Sequence, residues 1–275
     1  MGKEKIILKN IIDENFNSSN LYKRNLLKEY IQILVLDYIY SNPKYKNLFF
    51  YGGTCLSQCF ALPRLSEDLD FIDEKKEIDL EKMSSEIKIF FEKKTDLPIS
   101  VKVQKFRIYL KFPILKELGL AGDSGSNNLI LKIEIFSDFD FCKKYNTQIK
   151  PLFKFNKSIL IKTFDLETLM STKIRAVLYR KWEKRLKKGS ISVTVKGRDY
   201  FDLMWYLDKN IKPNFACLEL KRKEELKEKL LNLADKVDEK SIILDLENFI
   251  EDKEFIKTLG KNIKNILKEN IDKKL

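Results

Sequence analysis

The sequence contains no histidine, and this absence excludes several kinds of chemistry. Without an imidazole there can be no Ser-His-Asp or Cys-His arrangement, no histidine-ligated zinc site and no imidazole base. Any catalysis must therefore use carboxylates, lysine, arginine, hydroxyl groups or a hard metal ion.

Cysteine is also scarce, and its spacing predicts no site. The four cysteines form no CxxC pair and no spacing typical of a disulfide framework: Cys55, Cys59, Cys142 and Cys217. Cys55 and Cys59 are four residues apart on a predicted helix, where they are better explained as small core residues than as metal ligands.

The sequence shows neither a membrane span nor a secretion signal. No apolar run approaches the roughly 20 residues that are needed to cross a bilayer. The N-terminus, Met1 to Lys5, lacks the apolar segment of a signal peptide. These features predict a cytoplasmic protein without a membrane partner.

What the chain has in excess is positive charge. It carries 53 Lys and Arg against 41 Asp and Glu, a net charge of +12, and 44 % of its 275 residues are hydrophobic. The apolar content is sufficient for a core, and the length suggests one large domain or two modest ones. The charge favours a polyanionic partner, although a lysine-rich composition produces such an excess by itself.

Two halves of different character are predicted, divided near residue 160. The first half alternates helices and strands, with strands predicted at 48–51, 69–72, 99–105, 107–112 and 129–136. The second half keeps a 3.6-residue pattern, beginning with a long helix over 165–189 with Asp165 as N-cap and Gly189 after its end. We therefore predict an α+β domain over 1–160 and a helical bundle over 161–275.

Two aspartates alternate with apolar residues on the second predicted strand, in Asp68-Leu69-Asp70-Phe71. Residues i and i+2 of a strand face the same side, about 6.6 Å apart. The strand over 129–136 carries Glu134 on its polar face, as a third acid. Neighbouring carboxylates require a cation, for which Mg²⁺ (or Mn²⁺) with oxygen ligands is suitable. A pair of such ions is the usual clamp for nucleotidyl displacement.

Two glycines separate the first predicted strand from the helix that follows it. Gly52 and Gly53 let backbone amides approach a ligand, and the N-terminus of the next helix favours an anion. A glycine pair alone is usually a simple turn, and an acidic run alone is usually a solvated surface. Their combination favours a site that holds a nucleoside triphosphate and its metal ions.

These segments resemble the nucleotidyltransferase toxins of the AbiEii/AbiGii type, within the DNA polymerase β-like superfamily. The resemblance rests on four motifs in order: GGT (52–54), RLSEDLDF (64–71), TKIRAVLYR (172–180) and GRDYFDL (197–203). It implies a polymerase-β-like nucleotidyltransferase domain with a mixed sheet, followed by a helical bundle, with the nucleotide between them. It also implies a toxin of a toxin–antitoxin or abortive-infection system, countered by a separate antitoxin protein.

The resemblance assigns roles to individual residues of the first half. It implies that Gly52, Gly53 and Thr54 contact phosphates, and that Asp68 and Asp70 bind Mg²⁺. The wider superfamily often has Gly-Ser where this chain has Gly-Gly, so the Thr54 hydroxyl would have to replace the serine contact.

Further roles follow from the flanking and later motifs. Arg64 and Ser66 match the RxS part of the second motif. Lys173 would neutralise the triphosphate, with Arg180 on the same helix face, and Asp199 would complete the site. Glu134, which stands where the superfamily has its third carboxylate, would ligate a metal ion or help to take the proton of the nucleophile.

Structural roles remain open for several of these residues. Lys173 could be an ordinary solvated lysine, and Arg64 could form an ion pair with Asp68. Asp202, which is predicted to be buried, could serve either a structural ion pair or the site.

A basic segment suggests the acceptor. From Lys173 to Arg198 the chain has ten Lys and Arg and one acid, Glu183, with Tyr179 and Trp182 interleaved. Such a segment suits phosphate backbones and stacked bases, although the aromatic residues could equally belong to the core. We therefore expect transfer of NMP from an NTP to an RNA hydroxyl, for which the resemblance suggests the 3′ end of a tRNA. The alternative is a catalytically silent nucleic-acid-binding protein that retains the fold.

Overall fold

The computed structural model describes residues 2–122, 125–180, 184–185, 191–193, 195–220 and 222–275. The chain forms two compact units. Unit 1 comprises Met1–Phe139 and Gln148–Thr163, and unit 2 comprises Asp140–Thr147 and Phe164–Leu275. Unit 2 thus includes a short segment from the middle of the chain.

A seven-stranded mixed sheet forms the centre of unit 1, in the order β3-β4-β5-β2-β1-β7-β6. The second strand runs antiparallel to the first and parallel to the fifth. The predicted α+β class with a mixed sheet is therefore confirmed. The strands are β1 (Phe49–Tyr51), β2 (Leu69–Ile72), β3 (Ser100–Gln104), β4 (Arg107–Pro113), β5 (Asn128–Phe136), β6 (Thr147–Lys154) and β7 (Lys157–Phe164).

Helices of unit 1 follow the apolar spacing of the sequence. The predicted helix over 20–40 is observed as α2, which begins after the side-chain cap of Ser19 on the Tyr22 amide. Asp79 caps α4 in the same way, through the Lys82 amide. The helices are α1 (Lys3–Glu14), α2 (Asn20–Ser41), α3 (Gly52–Phe60) and α4 (Leu80–Lys94).

The β6–β7 hairpin was not predicted as strands. Its turn residues Phe155 and Asn156 both have positive φ, 49° and 57°, which suits a two-residue hairpin turn. Pro151 interrupts the strand pattern of β6, but β6 lies at the sheet edge, where a missing N–H is tolerated. The strand β6 is therefore an edge strand that contains a proline, a residue that is not typical of strands.

Unit 2 is largely helical, as predicted for the C-terminal half. In α9 the buried side chains recur at three- and four-residue spacing, which produces one apolar stripe. The helix α6 contacts α5, α8 and α9. The helices are α5 (Leu166–Tyr179), α6 (Gly197–Asp208), α7 (Lys223–Ala234), α8 (Glu239–Leu246) and α9 (Lys253–Lys274), with a 3₁₀ turn at Phe215–Cys217.

The long helix predicted over 165–189 is wrong at its C-terminal end. Asp165 is the N-cap and accepts from the Thr168 amide at 2.9 Å, but α5 ends at Tyr179. The described residues beyond it include a short strand pair, β8 (Lys184–Arg185) and β9 (Ile191–Val193). Like charges three and four residues apart in 181–188 disfavour a continued helix. The predicted end at Gly189 lies outside the described residues.

Two further findings concern the cysteines and the question of a membrane span. Cys142 and Cys217 form a disulfide in unit 2, a pairing that their spacing did not predict, whereas Cys55 is a buried free thiol. Within the described part of the chain, no helix combines the length and apolar character required to cross a membrane.

Candidate active site

The glycine turn of unit 1 lies directly against one of the predicted metal ligands. Gly52 opens α3 with φ +77°, a conformation that favours glycine. A Cβ at this position would overlap Oδ2 of Asp70 and would lie 3.0 Å from its Cγ. Gly52 is therefore required both for the backbone turn and for the close approach of the Asp70 carboxylate.

The second glycine makes a comparable contact with the RxS residues. A Cβ at Gly53 would lie 2.7 Å from Nη2 of Arg64 and 3.0 Å from Oγ of Ser66. Arg64 is buried, and its Nη1 donates to the carbonyl of Leu65 at 2.8 Å. A guanidinium and a hydroxyl group therefore lie against the N-terminal turn of α3.

The acidic strands pair in the register that brings their carboxylates together. Asp70 of β2 is the direct partner of Glu134 of β5 in the parallel pair, so both project from the same face. On the opposite face, Leu69 and Phe71 are fully buried, and the Phe71 ring lies 5.2 Å from that of Phe50. The predicted division of β2 into an acidic and an apolar face agrees with this packing.

Asp68, one residue before β2, is tied to the same face by its partners. Lys132 Nζ lies 2.6 Å from Oδ2 of Asp68 and 3.9 Å from Oε1 of Glu134. Arg107 Nε donates to the same Glu134 oxygen at 2.7 Å. Two basic side chains therefore partly neutralise this acidic face, which is formed by Asp68, Asp70 and Glu134 and is called the acidic cluster below.

These basic residues respond electrostatically to the carboxylates. Burial acts to lower the pKa of Lys132, but Asp68 and Glu134 outweigh it and raise that pKa above its usual value. The pKa of Arg107 is likewise raised, because the nearby Glu134 outweighs the effect of burial. Both side chains are therefore held in the charged form beside the acidic cluster.

Thr54 has a different position from the phosphate contact that the resemblance implies. Its side chain is completely buried, and its hydroxyl donates to the backbone carbonyl of Asp68. Gln32, on α2, donates through Nε2 to the Ser66 carbonyl at 2.9 Å. Both contacts fasten the segment between α3 and β2 to the helices beside it, which fixes the approach to the acidic cluster.

The acidic cluster is chemically suited to a hard divalent cation. Among the residues that the structure describes, no three acidic or cysteine side chains are already gathered as a metal site. The available donors are nevertheless carboxylate oxygens on two adjacent strands, and the Lys132 ammonium already lies as a cation between Asp68 and Glu134. Mg²⁺ and Mn²⁺ prefer such oxygen ligands.

A second cluster of charged residues lies within unit 2. Lys173 on α5 bridges two carboxylates of α6, at 2.9 Å from Oδ1 of Asp199 and 2.8 Å from Oδ2 of Asp202. Arg180 Nη1 lies 2.8 Å from the second oxygen of Asp199. Asp202 is fully buried. The structural ion pair left open for Asp202 is therefore observed, and Lys173 is not an ordinary solvated lysine.

Electrostatics in unit 2 favour a charged Asp199. Burial by itself would raise the pKa of this carboxyl, but Lys173, Lys196 and Arg180 lower it well below its usual range. Burial lowers the pKa of Lys196 to about 8, despite the attraction of Asp199. The sequence reasoning missed Lys196, which directly precedes the fourth motif.

Other residues of the basic segment have structural roles where they are described. Tyr200 and Trp205, which lie just beyond this segment, are buried and belong to the core of unit 2. Arg198 pairs with Asp245 through its backbone amide at 2.9 Å and its guanidinium at 3.4 Å. Tyr179 is half exposed beside Arg175. Trp182, the remaining aromatic candidate, lies outside the described residues.

Two basic residues at the acidic cluster, Lys132 and Arg107, were not predicted. Lys132 precedes Glu134 by two residues in a predicted strand. The two side chains must therefore lie on the same face, and this spacing could have indicated that Lys132 lies near the acidic residues. Arg107 is the register partner of Glu134 on β4. Its contact depends on strand pairing, for which the sequence contained no local signal.

Substitution of Gly52 by alanine tests the close approach of the turn to Asp70. The added Cβ would overlap the Asp70 carboxylate, and a displacement of about 1 Å in a reactive group can reduce a rate about 100-fold. We expect Gly52→Ala to lower nucleotidyl transfer by at least about 100-fold. Initial rates of label transfer from an NTP, measured on the purified variant, check this expectation.

Gly119→Ala is the matched control, because Gly119 also has a positive φ, +67°, but apart from its chain neighbours no atom of the described residues lies within 4 Å of an added Cβ. Both changes impose the same kind of backbone strain, about 1–2 kcal/mol. Equal loss of activity in the two variants would show that strain alone, rather than contact with Asp70, explains the requirement for glycine.

Comparisons with known proteins identify a matching family model and similar folds. A family model described as the AbiEii toxin nucleotidyl transferase of type IV toxin–antitoxin systems matches residues 35–274. The fold is similar to that of MenT4, a nucleotidyltransferase toxin from Mycobacterium tuberculosis H37Rv, with a TM-score of 0.56 and 12 % identity over 96 % of this chain and 88 % of that one.

A second solved structure with similarity to this chain is JHP933 from Helicobacter pylori. Its TM-score is 0.47 and its identity 17 %, over 90 % of this chain and 94 % of that one. The search among curated proteins found no significant match.

Proposed function

Because the chain belongs to the AbiEii nucleotidyl transferase toxin family of type IV toxin–antitoxin systems, we propose that it transfers NMP from an NTP to an RNA hydroxyl. The observation that carries the proposal is the register of Asp70 with Glu134, directly beside the Gly52 turn. The turn that is proposed to bind phosphate and a set of carboxylates are thus neighbours within one unit.

The acidic cluster is proposed as the metal-binding part of the site. Asp68 and Asp70 would hold Mg²⁺ or Mn²⁺, and Glu134 would share in the binding or accept the proton of the attacking hydroxyl. When bound, the ions supply charge stabilisation for in-line displacement at the α-phosphate. Thr54 contributes by holding the Asp68 backbone in place.

The turn at the start of α3 is proposed to receive the phosphates. Gly52 and Gly53 let side chains approach the backbone of this turn closely, and Arg64 and Ser66 supply a charged and a neutral donor there. The N-terminus of a helix also favours an anion. This chemistry suits the phosphate groups of an NTP.

A phosphate-binding role is also proposed for the cluster in unit 2. Lys173, Arg180 and Lys196 provide three positive charges around the two carboxylates Asp199 and Asp202. The remaining positive charge favours phosphate. In this proposal Lys173 and Arg180 neutralise the triphosphate, and Asp199 keeps both in position.

The acceptor and the partner are proposed from sequence and family. Ten Lys and Arg from Lys173 to Arg198 favour RNA as the acceptor, and the 3′ end of a tRNA is the specific candidate. Membership of a toxin–antitoxin family implies that a cognate antitoxin protein counters the activity.

A single transfer assay tests this proposal. Purified full-length protein is incubated with total cellular RNA, Mg²⁺ and each α-³²P-labelled NTP in turn, and the products are separated on a denaturing gel. We expect label in a tRNA-sized band with at least one NTP, and none when EDTA replaces Mg²⁺.

Other outcomes would redirect the assignment. Label on the protein itself would indicate a protein hydroxyl as acceptor. If folded protein transfers no label from any NTP and still binds RNA without metal, the catalytically silent nucleic-acid-binding protein is the better description.

A further inference from the structure

We propose that Lys132 is a built-in counter-ion of the acidic cluster, which competes with the divalent cation for Asp68 and keeps metal affinity low until a nucleotide is bound. The inference rests on the proposed metal-dependent function. It adds a role for a residue that lies in none of the four sequence motifs.

The geometry places the Lys132 ammonium among the proposed metal ligands. Its Nζ lies 2.6 Å from Oδ2 of Asp68 and 3.9 Å from Oε1 of Glu134. Lys132 and Glu134 are two residues apart on β5, so their side chains project from one face. Asp70 joins that face through its register with Glu134. The Lys132 ammonium therefore lies near two of the three carboxylates that would bind a metal ion, those of Asp68 and Glu134.

Arg107, the second basic residue at the acidic cluster, has a different position from that of Lys132. Arg107 Nε contacts Oε1 of Glu134 at 2.7 Å, whereas Asp68 pairs with Lys132. An oxygen that accepts a charged hydrogen bond at this distance is a poorer ligand for another cation, and the ammonium also repels that cation. Binding of a metal ion through Oδ2 of Asp68 therefore requires Lys132 to release that oxygen.

Competition of this kind has a consequence for the order of binding. Without nucleotide, the cluster is already partly neutralised by Lys132 and Arg107, so the gain from binding a metal ion is small. The phosphates of an NTP add negative charge and further oxygen ligands, which shifts the balance toward the metal ion. We therefore expect weak binding of free metal and strong binding of metal together with nucleotide.

Removal of the Lys132 charge should reveal this competition directly. We expect Lys132→Met to bind Mn²⁺ about tenfold more tightly than the wild type in the absence of nucleotide. Free Mn²⁺ is titrated by electron paramagnetic resonance against the full-length protein, so the readout is metal occupancy and not activity. The metal-free variant should also melt about 2–4 °C lower, because an ion pair is lost.

Lys102→Met is the matched control, because it removes the same charge from the same face of the sheet. Lys102 is the register partner of Tyr109 on β4, and Tyr109 is in turn the partner of Lys132 on β5. No ion pair of Lys102 is found among the residues that the structure describes. We expect Mn²⁺ affinity of Lys102→Met to remain within about twofold of the wild type.

The outcomes separate the inference from the proposed function. The counter-ion role would be overturned if Lys132→Met bound Mn²⁺ no more tightly than the wild type in the absence of nucleotide. The proposed function would remain intact in that case, provided that the wild type binds Mn²⁺ together with a non-hydrolysable NTP. Tighter binding by both lysine variants would also overturn the counter-ion role, since bulk charge would then be the cause. If neither the wild type nor the variant binds Mn²⁺ together with that NTP, the proposed metal-dependent function is wrong, and the counter-ion role that rests on it is wrong as well.

Discussion

Asp70→Asn should reduce nucleotidyl transfer by at least about 1,000-fold while the protein remains folded. The change replaces a proposed metal ligand by a neutral group of nearly the same shape. A loss of about 4 kcal/mol in transition-state stabilisation, which is reasonable for a catalytic metal site, corresponds to such a factor. Asp70 also lies directly against Gly52, so the isosteric amide is preferred to alanine, which would leave a gap at this contact.

Initial rates of transfer from the labelled NTP identified in the gel assay are the appropriate measurement. Asp138→Asn is the control, because Asp138 follows β5, is exposed, and loses the same charge. We expect the control to retain activity within about threefold, as the effect of a single exposed charge is small. Activity of Asp70→Asn within tenfold of the wild type would exclude Asp70 as a metal ligand, provided that both proteins have similar melting temperatures.

The alternation in the sequence was sufficient to predict the acidic face. In 68–71 and 131–135 the apolar residues alternate with charged ones, so the acidic face of each strand followed from the two-residue period of a strand. The structure adds the pairing of these two strands and their register. The close contact of Gly52 with Asp70 also results from strand pairing, because Tyr51 of β1, which precedes Gly52, is the register partner of Asp70 of β2.

Features that depend on tertiary contacts were predicted less well. The partner of Glu134 on β4 is separated from it by 27 residues in sequence, and no local pattern indicates which basic residue it will be. The helix α5 was predicted to continue to Gly189 but ends at Tyr179, where a segment with like charges at helical spacing begins. The β6–β7 hairpin was not predicted, and its first strand contains Pro151, which an edge strand tolerates.

Lys173→Met should lower the free energy of unfolding by about 3–5 kcal/mol, which is the usual cost of leaving buried charges without their partner. The side chain of Lys173 is 12 % exposed, and its two carboxylates, Asp199 and Asp202, are 5 % and 0 % exposed. The loss therefore leaves Asp202 buried without this ammonium. Denaturant unfolding followed by circular dichroism, with wild type and variant at the same pH, measures the difference.

Arg180→Met is the matched control, since it removes the same charge from the same carboxylate. Arg180 also pairs with Asp199, at 2.8 Å, but its side chain is 41 % exposed. Exposed ion pairs contribute at most about 1 kcal/mol, so this variant should remain close to the wild type. Similar losses in the two variants would contradict the view that burial determines the importance of Lys173.

The double variant Lys173→Met/Asp202→Asn separates the structural role of Lys173 from the proposed one. Neutralising Asp202 removes the buried charge that has lost the Lys173 ammonium, so about 2 kcal/mol of the lost stability should return. If transfer activity stays low after stability returns, Lys173 acts on the nucleotide, as proposed. If activity returns with stability, the contribution of Lys173 is to hold α5 and α6 together, and the triphosphate must be neutralised by other cations.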